Sequence, residues 1–359
     1  MVDGKINDRQ LFFMMFWTIL STAILALPVI IGKYAPRDAW MDAILFIPMV
    51  SIAAWLAADL GNKFPQQTII QYSEVILGRW LGKLVSAILI LWLIHSTSLM
   101  YREIGEFTIL SLLPGTPLTA IFCLISIPPA YATYHGLEVI GRMADFLFFI
   151  CFFFIIIIYI LLIPEYHFKE LLPLFSDGIG NILRPLPIVT SFGAQVMIVL
   201  FFFPSLKTPQ NSGRTLLALA VILGVMGMMT EATHTMIFGL DRKVLNLTFY
   251  QMARYVNIGG ILERMDPLFV IGELLGSFIK ITVFTYVSVF SVAQLFQLKN
   301  YRILILPIVA VIFFLALYGF GDLPQMMNFL MNMVPLYSLP IQYGIPLLLL
   351  IVGRIRRIS

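Results

Sequence analysis

The chain has 359 residues, 60% of them hydrophobic and only 12% charged, with a formal net charge of +4. A water-soluble protein of this length needs far more charge to cover its surface, and a mean hydropathy of +0.94 excludes one. The basic residues sit at the ends of apolar segments, which argues against nucleic acid as a partner and leaves the lipid bilayer as the environment.

About 20 apolar residues cross a bilayer, and on that measure ten spans are expected, with the first at about 9–32. It is too long for a signal peptide and carries no small-residue cleavage site, so it is expected to stay as a helix. The second, about 39–60, contains Pro48. Residues 66–80 are too polar to span and read as a short interfacial helix, with Ile69, Tyr72, Ile76 and Trp80 on one face. Spans three to five follow at about 82–110, 118–133 and 143–163, then a polar connection at 164–184. Spans six and seven lie at about 185–203 and 213–239. A second connection, 240–266, has an amphipathic turn around Phe249, Met252 and Val256, and the last three spans are expected at about 267–297, 303–320 and 328–352. Cys123 and Cys151 lie in apolar runs and read as packing residues rather than a disulfide or metal site. Lys and Arg are more numerous in the connections that an inside N-terminus places in the cytoplasm, Arg264 counting among the outer ones.

Span one holds Ser21 and Thr22 beside each other near mid-depth, and then Pro28. Proline has no N–H and crowds the carbonyl four residues back, here that of Ile24. Non-helical backbone at membrane depth survives only where protein buries it or a cavity needs it. Two readings follow, a kink that shapes packing or a helix broken near residues 21–25 at a binding site. Span six carries Ser191-Phe192-Gly193-Ala194, about half a chain later. Paired interruptions in two inverted halves point to a transporter-like site. The expected division is residues 1–183 (spans one to five) and 184–359 (spans six to ten), within a single membrane domain.

The expected ligand contacts are Thr22, Ala23, Ile24 and Leu25 in span one, Thr97, Ser98 and Tyr101 in span three, Ser191, Phe192 and Gly193 in span six, and Thr285 in span eight. Free amides at a half-helix terminus favour a carboxylate and free carbonyls a cation, so an amino acid is a natural ligand. Lys280 lies about 13 residues into span eight, near mid-depth, where an ammonium needs a partner. Glu273 stands two turns earlier. Lys280 reads either as a stand-in for a bound cation or as half of a structural pair. Arg102 and Glu106 are spaced i,i+4 and can pair, and Glu103 adds a further charge for a vestibule or gate. Glu231 and His234 read as an interfacial pair in span seven. Metal-ligand spacings, nucleotide-binding loops and catalytic triads are absent from the sequence, so neither an enzyme nor a cofactor is expected.

Several segments, taken in order, resemble the B subunits of GerA-type spore germinant receptors, in the amino acid–polyamine–organocation superfamily. They are Ile6-Asn-Asp-Arg-Gln10, Pro28, Asp38-Ala-Trp40, Arg102-Glu103-Ile-Gly-Glu106, Thr116-Pro117, Gly136-Leu-Glu138 with Arg142, Phe203-Pro204, and Leu262-Glu-Arg-Met-Asp266 followed by Lys280. The chain departs from the pattern in reading Val270-Ile-Gly-Glu273 where a tryptophan is expected, and Thr22-Ala23 where a glycine is usual. The resemblance implies an all-α, LeuT-like membrane fold of ten helices in a 5+5 inverted repeat, with helices one and six broken. It implies a small-molecule germinant, an A subunit and a lipoprotein C subunit as partners, and a place in the spore inner membrane with both termini cytoplasmic. A secondary active amino-acid transporter is the alternative, and a scaffold with a vestigial site a third reading.

Overall fold

The computed structural model describes residues 4–258, 262–263 and 265–358. Arg264 and part of the Leu262–Asp266 motif therefore lie outside the described residues. The helices, in chain order, are α1 (Asp8–Tyr34), α2 (Trp40–Lys63), α3 (Ile69–Leu77), α4 (Arg79–Ser111), α5 (Leu118–His135), α6 (Leu137–Leu161), α7 (Ile179–Leu183) and α8 (Leu186–Gly193). They continue with α9 (Ser212–Phe238), α10 (Thr248–Tyr255), α11 (Asp266–Leu295), α12 (Ile305–Tyr318), α13 (Leu323–Asn332), α14 (Val334–Leu339) and α15 (Ile345–Ile355). Two-residue strands, β1 (Asn257–Ile258) and β2 (Leu262–Glu263), pair antiparallel between α10 and α11. Nine helical segments among the described residues are long and apolar enough to cross a membrane. The fourth expected span is α5, whose last turns, Pro128-Pro-Ala-Tyr-Ala-Thr-Tyr-His135, dilute its apolar character. The chain is an integral membrane protein.

The start of α1 follows from its sequence. Asn7 Oδ1 accepts from the Gln10 amide at 2.8 Å, and Gln10 Oε1 accepts from the Asn7 amide at 3.0 Å. This reciprocal capping satisfies two of the amides that a helix start leaves orphaned. Asp8 then accepts from Thr208 and Asn211, and Ile6 pairs with the backbone of Ser205 and Lys207 at 2.9 Å each way. The Ile6–Gln10 motif is thus a clamp between the start of α1 and the turn that follows span six.

α1 is the most enclosed span, packed by α6, α9 and α11. The interruption expected at residues 21–25 is not found, and α1 runs as one helix from Asp8 to Tyr34 with Pro28 inside it. One proline removes one ladder bond, and Thr22 and Ala23 supply none of the conformational freedom of the glycine they replace.

Span six does change character. α8 ends at Gly193 and continues as a 3-10 helix over Ala194–Phe201, every residue of it buried. A 3-10 helix rises about 2.0 Å per residue against 1.5 Å, so these two eight-residue pieces reach about 28 Å, close to a bilayer core. Gly193 itself is ordinarily helical, at φ −66°. Its role is space, because a Cβ there would lie 2.1 Å from Val50 Cγ2 of α2. A second irregularity lies in span ten, where a π-helical turn, Pro340–Gly344, separates α14 from α15. This span begins at Val334, and the first residues expected for it form the separate helix α13.

α3 presents Ile69, Tyr72 and Ile76 inward against α4 and α15, so its apolar face meets protein rather than lipid. Burial pushes the Tyr72 phenol well above its usual pKa. Trp80, expected on that face, starts α4 instead and is 85% exposed. Phe249, Met252 and Val256 are buried as the amphipathic turn predicts.

Candidate functional site

A central cavity lies among α1, α4, span six, α13, α14 and the π-helical turn before α15. α4 contributes Trp92, Ser96, Leu99, Met100 and Glu103. These positions fall on one helical face, each three or four residues from a neighbour in the set. Span six contributes Ser191, Phe192 and Gln195, and span ten Ser338 and Gln342. Thr22 closes the wall from α1.

Behind that wall Lys280 of α11 is fully buried, and its Nζ donates to Thr22 Oγ1 at 2.6 Å. The ammonium also lies 5.4 Å from the centroid of the Phe192 ring, within cation–π range. Glu273, two turns earlier, accepts from Ser277 at 2.8 Å and faces a second small cavity with Trp17, Ser21 and Cys151.

Three of the oxygens in residues lining the central cavity are buried acceptors without a donor among the described residues. Glu103 is 5% exposed, and its Oε1 has no hydrogen-bond partner among the described residues. Gln342 donates through Nε2 to the Ser191 carbonyl at 3.0 Å, which leaves its own Oε1 without a donor. Gln195 Oε1 is likewise unpartnered. Trp92 Nε1 is already spent on Ser338 at 3.1 Å.

Of the residues expected at the site, Thr22, Ser191, Phe192 and Glu103 share this cavity. Ala23 and Ile24 line a larger cavity between α1, α2 and α9, and Leu25 is buried in the core. That larger cavity is apolar except for Thr230 and Glu231, so the smaller one carries more recognition chemistry. Thr97 and Ser98 do not line the central cavity, because their hydroxyls donate back to the carbonyls of Leu93 and His95. Tyr101 packs edge-on against Phe122 of α5. Gly193 faces α2. Thr285 is fully buried beyond Lys280 on α11, away from the cavity. Glu106 pairs with Arg102 at 2.7 Å, and Arg102 Nη1 donates to the Phe320 carbonyl at 2.8 Å. This pair ties α4 to the turn after α12 rather than lining the cavity.

The wall residues that sequence reasoning missed are Trp92, Ser96, Met100, Gln195, Ser338 and Gln342. A signal for two of them was available, since amides inside apolar spans are costly and mark functional positions.

A second polar cluster lies between α1, α9 and the following connection. Arg242, expected among the connection's charges, is fully buried. It pairs with Glu231 and donates to Thr235 Oγ1 at 2.9 Å and to the Pro28 carbonyl at 3.3 Å. Arg242 thus reaches the carbonyl of the helix-one proline itself, not that of Ile24 four residues back. His234 is fully buried too, packing edge-on against Phe249, so the Glu231–His234 pair expected at the interface sits inside the protein.

The helical bundle, with its irregular spans six and ten, has the LeuT-type fold, as its likeness to solved structures shows. Two solved structures align over nearly the whole chain. One is a Na+-coupled sialic acid symporter in a substrate-bound, outward-open state, at TM-score 0.67 and 13% identity over 98% of this chain and 80% of that one. The other is MhsT in complex with L-phenylalanine, at TM-score 0.71 and 12% identity over 96% of this chain and 97% of that one. In sequence the chain belongs to the spore germination protein family, whose profile matches residues 5–320. It is 26% identical to spore germination protein KB of Bacillus subtilis (strain 168), over 98% of this chain and 95% of that protein. It is 25% identical to spore germination protein YndE of the same organism, over 99% and 98%.

Proposed function

We propose that the chain is the membrane subunit of a spore germinant receptor, binding a small nutrient, an amino acid, in the central cavity and triggering germination. The observation that carries this reading is the cavity itself, with buried polar groups from three helical segments in its wall, in a family of spore germination proteins. Buried polar atoms without partners are costly, and a ligand that pairs with them stabilises the state it binds. In this reading residues 1–183 and 184–359 are the two inverted halves. Lys280 stands where a coupled transporter would hold a cation, keeping α1 attached to α11 through Thr22. The protein sits in the spore inner membrane with both termini cytoplasmic, beside an A subunit and a lipoprotein C subunit that read the shift between the halves.

A second reading, a secondary active amino-acid transporter, is favoured by the fold shared with a coupled symporter. Spores lacking only this chain separate the two. Loss of nutrient-triggered germination with unchanged amino-acid uptake in growing cells supports the receptor. Loss of uptake with normal germination supports the carrier and ends the receptor reading.

A further inference from the structure

Resting on that reading, we infer that the cavity selects ligands carrying a protonated amine, and that Glu103 is the residue that binds it. Three observations meet here. Glu103 Oε1, Gln195 Oε1 and Gln342 Oε1 are acceptors on three different segments, all in residues at least nine-tenths buried, and all without a donor among the described residues. They line one cavity. Gln342 cannot simply turn its amide round, because its Nε2 is held by the Ser191 carbonyl. A ligand that supplies donors satisfies this wall, whereas a bare carboxylate or another acceptor would add to its deficit.

The charges agree with the hydrogen bonding. The buried groups around the centre are Glu103 and Glu273, both carboxylates, and Lys280, one ammonium. Arg102 is committed to Glu106 and the Phe320 carbonyl, so it offers no balancing charge. Lys280 turns its ammonium to Thr22 and the Phe192 face, behind the wall rather than into the chamber. Burial disfavours a lone charged carboxylate, and a ligand ammonium beside Glu103 would supply the opposite charge that favours its ionised form. In a low-dielectric site such a charge-assisted hydrogen bond is shorter and stronger than a neutral one. The indole of Trp92, the thioether of Met100 and the ring of Phe192 supply apolar surface for a compact body.

The test uses the purified full-length chain in detergent near pH 7, with melting temperature as the readout. The probes are the common amino acids, the 2-hydroxy acid matched to each aliphatic one, small primary amines such as ethylamine and isobutylamine, and hexoses. The expected result is stabilisation by one or more amino acids or amines and none by the matched hydroxy acids. Glu103→Gln then weakens the responding amine by about 10- to 100-fold, the range for losing a hydrogen bond to a charged group. Glu103→Asp, which keeps the charge and shortens the reach, retains the preference for amines at reduced affinity. If Glu103→Gln does not fold, the aspartate variant carries the test alone. Stabilisation by hydroxy acids or hexoses equal to that by amines, an amine response unchanged in Glu103→Gln or Glu103→Asp, or a panel with no amine response overturns the inference. These outcomes are independent of spore behaviour: amine selectivity through Glu103 in a chain whose loss leaves germination intact would overturn the receptor reading alone.

Discussion

Lys280 Nζ lies 2.6 Å from Thr22 Oγ1, joining two helices whose residues are 258 positions apart in the chain. The contact puts a positive charge against α1 at mid-depth, within reach of the fields of Glu103 and Glu273. Removing one member of a buried ionic group strands the others and costs about 3–5 kcal/mol. Lys280→Ala is therefore expected to lower the melting temperature of the purified chain steeply. Adding Glu273→Gln should return a substantial part of the loss, since a neutral amide no longer needs the ammonium. Equal melting of the wild type, the single and the double variant would show that Lys280 is not part of this electrostatic group.

Gly193 is a packing glycine. A methyl there would stand 2.1 Å from Val50 Cγ2 and 2.6 Å from Phe46 Cε2. Overpacking a close-packed contact costs about 1–3 kcal/mol, and Gly193→Ala should destabilise by that amount. Val50→Ala alone should also destabilise, by leaving a void. The double variant should be more stable than the sum of the two losses predicts, because the new methyl fills the space vacated. Strict additivity in thermal melts would mean that the helices move apart instead of interlocking.

Gln342 sits on the π-helical turn and bridges span ten to the Ser191 carbonyl. Gln342→Met keeps length and bulk but withdraws the donor. A neutral hydrogen bond contributes about 0.5–1.5 kcal/mol, so the fold should survive while ligand response falls. Parallel measurement of melting and of nutrient-triggered germination in spores tests this, and an unaltered dose response would remove Gln342 from the site.

Arg242 satisfies a carboxylate, a hydroxyl and the Pro28 carbonyl at once. Lysine keeps the charge and loses the planar fork that reaches several acceptors. Arg242→Lys should therefore destabilise by about 1–3 kcal/mol, the cost of leaving buried polar groups unmet. A melting temperature within experimental error of wild type would show that one ammonium suffices.

The sequence carried the spans well because bilayer thickness leaves little freedom in a run of 20 apolar residues. It also marked Lys280, Glu103, Thr22 and Ser191, since polar groups at depth are costly wherever they point. Direction was harder to read. Thr97, Ser98 and Tyr101 carry suitable chemistry, yet the face of α4 that lines the cavity runs through Glu103, Met100, Leu99, Ser96 and Trp92. A hydroxyl on a helix can return its proton to its own backbone, as Thr97 and Ser98 do, and composition gives no warning of it. The interruption expected at Ser21–Leu25 rests on the adjacent hydroxyls, on Pro28 and on the match with Ser191–Ala194, yet one continuous helix absorbs the proline. The irregular turn in span ten went unread because Pro335, Pro340 and Pro346 can each be accommodated within a helix, and what gives the turn a role is Gln342, a contact made across the bundle.

The Ile6–Ser205 clamp and the Lys280–Thr22 contact set the order in which this protein can be completed on the ribosome. α1 is synthesised first, but the ammonium that meets Thr22 belongs to α11, made only after α2 to α10. At about 5–20 residues per second, roughly 13–50 s separate the translation of Thr22 from that of Lys280. For that interval the first helix holds its hydroxyls in lipid or against the insertion machinery without the ammonium that will meet them. Biogenesis, as much as the finished chamber, therefore bears on how polar this helix can be.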